Sequence, residues 1–421
     1  MPVNRFLHGG VSMRILIITF SMIMFSGSVV LTDRGLAADW PQWFGPNRDG
    51  VSSEKGVLKD WPDSGPVVLW RTPLGEGFSS IAVAGGAAYT MFAEGKDEYA
   101  VCMDAATGEE RWRVKTGRNF PDWQGGNGPR ATPIIDKERA FFLGAYGQLY
   151  ALDIKSGETV WSHHFQTEFI SDPPHWGFST SPLIEGNLLI VEVGGSSGNA
   201  FIAFDKTTGE VAWASQDDAP SYASPIAITV SDVRQIVFFP VSGLVGVAAR
   251  DGRFLWRHSW QTGPDVNAAT PIFLPPDRLF ISSGYGKGAT VIQLISQNGQ
   301  FSVKRVWFNR SMKNHFASSI HHEGYLYGFD NAILKCIAAD TGQEQWRKRG
   351  FQKGSLIFAD GHLIVLGEQG KLALVEAKPE AYIERASAQV LSARCWTPPT
   401  LSNGRLYLRN HNEMVCLDLS R

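Results

Sequence analysis

Along most of the chain, apolar and polar residues alternate with a period of two in short runs, and Gly, Pro, Asn and Asp stand between the runs. Leu149-Tyr150-Ala151-Leu152 is representative. The alternation predicts many short antiparallel strands joined by tight turns. A recurring pattern places Asp first, Thr-Gly three and four residues later, and Trp four residues after the Gly. It occurs as Asp104-Thr107-Gly108-Trp112, Asp153-Ser156-Gly157-Trp161 and Asp205-Thr208-Gly209-Trp213. Gly252-Trp256 and Gly342-Trp346 keep the last spacing, with Ala248 and Ala338 where the Asp would stand. Each Gly is expected to supply the positive φ of a hairpin turn between the third and fourth strands of a repeat.

Between successive copies lies a second element, Ser or Thr, often Pro, then an aliphatic residue: Ser79-Ser80-Ile81, Thr132-Pro133-Ile134, Ser181-Pro182-Leu183, Ser224-Pro225-Ile226, Thr270-Pro271-Ile272, Ser318-Ser319-Ile320 and Thr397-Pro398. Each opens a short first strand, which makes every repeat a four-stranded antiparallel unit, the blade of a propeller. Trp70, Trp112, Trp161, Trp213, Trp256, Trp307 and Trp346 follow one another at 39 to 52 residues, a propeller period. Two further repeats fit after Trp346. The expected fold is therefore all-β, an eight-bladed β-propeller of four-stranded antiparallel blades. The last repeat ends at Val415-Cys416-Leu417-Asp418 without a Trp strand, whereas Val67-Val68-Leu69-Trp70 is a Trp strand with nothing before it. Their pairing would close the ring, remove open sheet edges and leave a monomer. The repeat tryptophans are read as structural docking groups between blades. The seventh repeat has none, and its joint is expected to be the weakest.

Composition agrees with this picture and excludes some partners. In 421 residues, Lys and Arg number 39 and Asp and Glu 41, a net charge of −2, with 19 % charged residues and no run of like charge. Nothing here offers a footprint for nucleic acid. Arg5 and Arg14 precede the uncharged stretch from Ile15 to Leu31, and Gly35, Ala37 and Ala38 follow it. Residues 1–38 read as a secretory signal peptide, with a retained anchor as the alternative. Cleavage would leave a soluble, exported protein without an integral membrane segment. The first cysteine is Cys102, so none follows the apolar stretch where acylation would need one. Residues 39–65 form a leader segment and residues 66–421 the propeller.

Cys102, Cys336 and Cys416 occupy equivalent positions in different repeats, too far apart to bridge, and Cys395 has no obvious partner. All are expected to be small buried residues. His163-His164 and His321-His322 point to opposite faces of their strands and cannot converge on one metal ion.

The stretches from Ala203 to Trp213 and, with Ser for Thr, from Ala151 to Trp161 match the Ala-x-Asp-x-x-Thr-Gly-x-x-x-Trp signature, and here the chain resembles the pyrroloquinoline quinone (PQQ) repeat family. That family includes quinoprotein alcohol dehydrogenases and BamB-type propellers of the outer-membrane assembly machinery, which bind no quinone. The leader Asp39-Trp40-Pro41-Gln42-Trp43 with Gly45 is similar to the segment that precedes the propeller in the dehydrogenases.

In a propeller the loops entering the innermost strands crowd the mouth of the central channel. Candidate ligands stand just before the Ser/Thr elements: Glu76, Arg130, His175, Trp176, Tyr222, Asp265, Asn267, Asn314, His315, Lys353, Arg394 and Trp396. For a quinone with carboxylates, the family likeness implies Arg130, Lys353 and Arg394 against the carboxylates and Trp176 or Trp396 as a stacking platform. Asp265 with Asn267 would then hold Ca²⁺ or serve as catalytic base. The loop from Asn119 to Arg130 is either a plain connection or a binding loop over this mouth. The adjacent Cys-Cys pair and the long insertions of the dehydrogenases are absent, and no Cys-x-x-Cys-His haem motif occurs.

Two functions follow as expectations. The first is a non-catalytic binding or scaffolding protein of the periplasm or envelope, with protein or peptide partners and no cofactor. The alternative is a quinoprotein dehydrogenase oxidising an alcohol, a polymeric one included, with PQQ and Ca²⁺ in the funnel and a separate electron acceptor.

Overall fold

In the computed structural model residues 39–420 are described; the signal-peptide reading of residues 1–38 lies outside them. Seven sheets follow one another along the chain around a ring, over residues 82–118, 134–164, 183–215, 226–259, 272–309, 320–348 and 355–389 (blades 1 to 7). Blade 8 combines Thr400–Ser402, Arg405–Arg409 and Glu413–Asp418 with Val68–Pro73 from the other end of the chain. The expected closure is therefore present, with Trp70 opposite Cys416. Blade 7 carries a fifth strand, Val51–Ser52, parallel to Ser355–Ala359.

The Asp-x-x-Thr-Gly turn proves to be half of an inter-blade joint. Asp104 Oδ1 accepts the amides of Ala106 and Thr107, and Gly108 turns back at φ 75° to donate to the Asp104 carbonyl. The Trp70 ring of the preceding blade lies flat on that glycine, where an added Cβ would come 2.6 Å from Trp70 Cε3. Trp70 Nε1 donates to the carbonyl of Ala105, the residue after the Asp. The same bond links Trp112 to Ile154, Trp161 to Lys206, Trp213 to Ala249, Trp307 to Ala339 and Trp346 to Lys378. Trp256 departs from the pattern and donates to Gln235 Oε1 of its own blade. The blade it faces has no such turn, because the strands Gly288–Gln297 and Gln300–Asn309 run on as one long hairpin.

Register explains the cysteines. Cys102, Cys336 and Cys416 each stand between a tyrosine on one side and a tryptophan on the other: Tyr89 and Trp112, Tyr327 and Trp346, Tyr407 and Trp70. A small side chain lets the two rings meet over it, with centroids 5.9 to 6.1 Å apart. Ala151 does the same between Phe141 and Trp161. All four cysteines are free and buried.

The joint expected to be weakest is filled by the leader. At the Trp register of blade 7 stands Ala386, opposite Leu374. Trp61 and Val57 of the leader pack into the cluster that Ala386 borders, together with Leu417 and Leu419 of blade 8. The Leu58 amide donates to the Leu419 carbonyl, the acceptor that a blade-7 Trp would have used. Glu54 takes the amides of Asn403 and Gly404 in the adjoining turn.

The leader also closes the channel. Trp40 forms a two-way bridge with Val83 of blade 1, and the Pro41 carbonyl accepts from Ile135 of blade 2. Arg48 donates to the carbonyls of Ser181 and Pro182 beside blade 3, Trp43 Nε1 to Thr270 Oγ1 beside blade 5, and Phe44 packs with Ile320 of blade 6. Residues 40–54 thus cross one end of the ring from blade 1 to blade 8.

Candidate functional site: a blind aromatic funnel

The Ser/Thr elements meet at the hub, where the chain is too crowded for a full ladder between blades. Four of the hydroxyls accept an amide from the blade before: Ser80 N–H to Thr132 Oγ1, Thr132 N–H to Ser181 Oγ, Ser181 N–H to Ser224 Oγ and Thr270 N–H to Ser318 Oγ. Above this ring the loops that precede the first strands enclose a cavity of about 430 Å³, within the range of small-ligand sites. Trp43 is the one leader residue in its lining and closes its inner end. Phe78, Trp176, Tyr222, Tyr285, Phe316 and Trp396 are its aromatic wall residues besides Trp43, and Asp122, Arg130, His315 and Lys353 are also in the lining.

The loop from Asn119 to Arg130 is a cross-braced part of that wall. Its centre is the Arg130 to Asp122 ion pair at 2.7 Å, with side chains only 11 % and 6 % exposed. Arg130 also donates to the carbonyls of Gly126 and Gly128, and its guanidinium lies 5.5 Å from the ring centroids of both Phe78 and Phe120. Asp122 takes the amides of Gln124 and Gly125 as well. Glu76 holds the loop from below through Asn127.

The sequence-selected residues separate into groups. Arg130, Trp176, Tyr222, His315, Lys353 and Trp396 line the cavity together. Arg394 lies behind the wall, donating to the Gly125 carbonyl and stacking on Trp396 at 4.5 Å. His175 packs edge-on against Trp176. Asn267 is fully buried; its Nδ2 donates to the carbonyls of Pro240 and Trp260, and its Oδ1 accepts from Ser283 Oγ. Asn314 is locked in the same way by Phe329 and Ser319. Both asparagines are hub braces, and their side chains are not free to act as ligands. Asp265 sits exposed in a turn at φ 59°, outside the cavity lining. Trp43, Phe78, Asp122, Tyr285 and Phe316 were not selected from sequence. Phe78 and Phe316 stand directly before or two residues before a Ser/Thr element, so the same rule applied to apolar residues would have found them.

Burial, with the Lys353 charge adding to it, lowers the pKa of His315 to about 4, so its ring is neutral near pH 7. Trp396 Nε1 donates to Glu368 Oε1, and Glu368 Oε2 accepts the Lys353 amide. A quinone paired with a calcium ion would need oxygen ligands and a free carboxylate base in this wall. The single carboxylate of the lining, Asp122, has its oxygens taken by Arg130 and two amides. Among the described residues no three His, Cys, Asp or Glu side chains gather as a metal site. The aromatic platform suits a flat ring; the donor set does not fit the calcium or the base.

His163 joins Glu168 to the Gly209 carbonyl, and His322 packs on Phe358 at 4.1 Å. Each histidine pair is divided between different contacts.

Residues 96–348 and 330–419 match the family model described as outer membrane protein assembly factor BamB. The BamB of Nitrosomonas eutropha is 24 % identical over 258 residues, 60 % of this chain and 56 % of that protein. That of Burkholderia pseudomallei is 28 % identical over 200 residues, 45 % of each. The matched stretch spans about half the length of these curated relatives. Among solved structures, BamB from Moraxella catarrhalis superposes with a TM-score of 0.59 at 15 % identity, covering 84 % of this chain and 99 % of that one. A quinohemoprotein alcohol dehydrogenase from Pseudomonas putida gives 0.64 at 12 % identity, covering 91 % and 80 %. At such identities the structural likeness is one of fold, which serves both kinds of protein.

Proposed function

From its membership of the family described as outer membrane protein assembly factor BamB, we propose that this chain is a non-catalytic binding and scaffolding protein of the cell envelope that assists outer-membrane protein assembly. The observation that carries the reading is the chemistry of the funnel. Its wall is rich in aromatic rings, its one carboxylate is neutralised by Arg130, and the leader closes its inner end. Such a site can hold a ligand, but it offers no paired acid and base for turnover.

The partners are envelope polypeptides engaged through the funnel face. The export signal read over residues 1–38 would deliver the protein to them, and no helix of the described residues is long and apolar enough to cross a membrane. The closed ring favours action as a monomer.

The reading is tested by depleting the protein from its host while following folded outer-membrane proteins by heat-modifiable gel mobility. In parallel, proteins retained on a tagged copy are identified by mass spectrometry. Fewer folded outer-membrane proteins and retention of assembly-machinery subunits are expected. Normal levels together with no retained subunit would overturn it.

A further inference from the structure

The charges of the funnel wall do not balance. Asp122 and Arg130 cancel, and His315 is uncharged near neutral pH. Lys353 remains, its Nζ 5.7 Å from the Trp396 ring centroid. Glu368 lies nearby, bonded to Trp396 Nε1 and the Lys353 amide, and keeps its negative charge; Arg394, 4.5 Å from the Trp396 ring, adds a second cation, so the surroundings of that ring carry a net positive charge. A net positive charge at an aromatic wall, partly shielded from water, attracts an anion more strongly than one on an open surface.

Two further observations narrow the ligand. Because Trp43 blocks the inner end, a polypeptide must enter and leave by the same mouth, as a chain end or a loop tip. Trp123 is 90 % exposed on the loop whose next residues, Gln124 and Gly125, line the cavity. A large bare ring beside a binding mouth is the composition of a protein contact.

We propose that the funnel receives an aromatic side chain with a carboxylate next to it from a partner polypeptide, the ring against Trp396 and Phe316 and the carboxylate on Lys353. The proposal rests on the binding-protein reading above and names the chemistry that this protein recognises. The carboxylate has two sources, a chain terminus or an Asp or Glu beside the aromatic residue in a loop.

The test titrates three peptides into the purified protein and follows binding by calorimetry. One ends in a free Phe carboxylate, the second is its C-terminal amide, and the third is capped at both ends with an internal Asp-Phe. Binding of the free acid is expected, weakened about tenfold or more by amidation, as for loss of a charge-assisted hydrogen bond. Lys353→Met should erase the difference between acid and amide, and Lys353→Arg should keep it, with thermal unfolding unchanged in both. If the internal Asp-Phe peptide binds as well, loops are recognised too; if only the free acid binds, the chain end is the ligand. Equal binding of acid and amide, or no peptide binding, would overturn the proposal. Retention of assembly-machinery subunits by the Lys353→Met protein would in that case leave the binding-protein reading standing without this recognition mode.

Discussion

The Leu58 amide donates to the Leu419 carbonyl at 2.8 Å, joining the leader to the last residues of the chain. At other seams the corresponding carbonyl accepts an indole N–H, as Ala105 does from Trp70 and Ile154 from Trp112. Beside Leu419 the blade offers only Ala386 at the Trp register, and Leu58, Val57 and Trp61 take the place of the missing ring. A segment that looks like an appendage in the sequence is part of the ring.

Leu58→Pro removes that donor, and Trp61→Ala removes the apolar fill beside it. Each is expected to lower stability by about 1–3 kcal/mol. Faster amide exchange should be confined to blades 7 and 8. Native-state hydrogen exchange with a denaturant titration measures both, and uniform loss of protection around the ring would show that the leader is not a local clasp.

The turn glycines carry two demands, positive φ and contact with a ring. Gly209 at φ 81° would place a Cβ 2.8 Å from Trp161 Cδ2, whereas Gly85 at φ 57° has open space around it. Gly209→Ala should therefore cost about 2 kcal/mol or more, and Gly85→Ala about 1 kcal/mol. Equal losses in chemical denaturation would mean that backbone strain alone sets the price and that the Trp contact adds nothing.

Asp122 and Arg130 are nearly buried partners, so the guanidinium that the family likeness sets against a ligand's carboxylates meets a carboxylate of its own loop. Asp122→Ala leaves a guanidinium without a counter-charge, and Arg130→Ala leaves a carboxylate without one. A loss of about 3 kcal/mol is expected for either, with mobility of residues 119–130. Limited proteolysis at that loop together with thermal unfolding checks this. Unchanged stability in both variants would return Arg130 to the set of free funnel cations.

Glu98 and Glu192 are buried carboxyls, raised by burial to about 7 and about 8 from an ordinary value of 4.5. Between those values the folded state holds protons that the unfolded chain has released. Stability from these groups is thus present at pH 5 and falls as pH rises towards about 8. Glu98→Gln with Glu192→Gln should raise the unfolding temperature by a few degrees at pH 8.5 and leave it nearly unchanged at pH 5. A flat pH profile in the parent protein would exclude this assignment.

Burial drives the thiol pKa of Cys102 up to about 11 and those of Cys336, Cys395 and Cys416 up to about 12. A thiol reagent at pH 8 should leave the native protein unlabelled and modify all four cysteines after unfolding. Rapid labelling of the native form at any of them would place that sulfur at the surface.

Blade number and ring closure were legible in the sequence, as was the spacing of the tryptophans, of which six bond across a seam and Trp256 within its own blade. They rest on short-range regularities: alternation of period two, a turn glycine four residues before a Trp, and a Ser/Thr-Pro entry to each first strand. The place of the funnel followed from the same frame, since every loop before such an entry must reach the hub. The roles of individual funnel residues were not legible. Asn267 and Asp265 lie two positions apart, yet one is fully buried and saturated while the other faces solvent.

What the chain determined by itself is the repeat, because each blade is built from neighbours in sequence whose geometry is local. The tertiary structure alone decided the rest. Trp43 reaches Thr270 across 227 positions, Leu58 meets Leu419, and Asp122 cancels Arg130 while Lys353 lies against the Trp396 ring. Those outcomes depend on which side chains the closed ring brings together and on how little water remains between them.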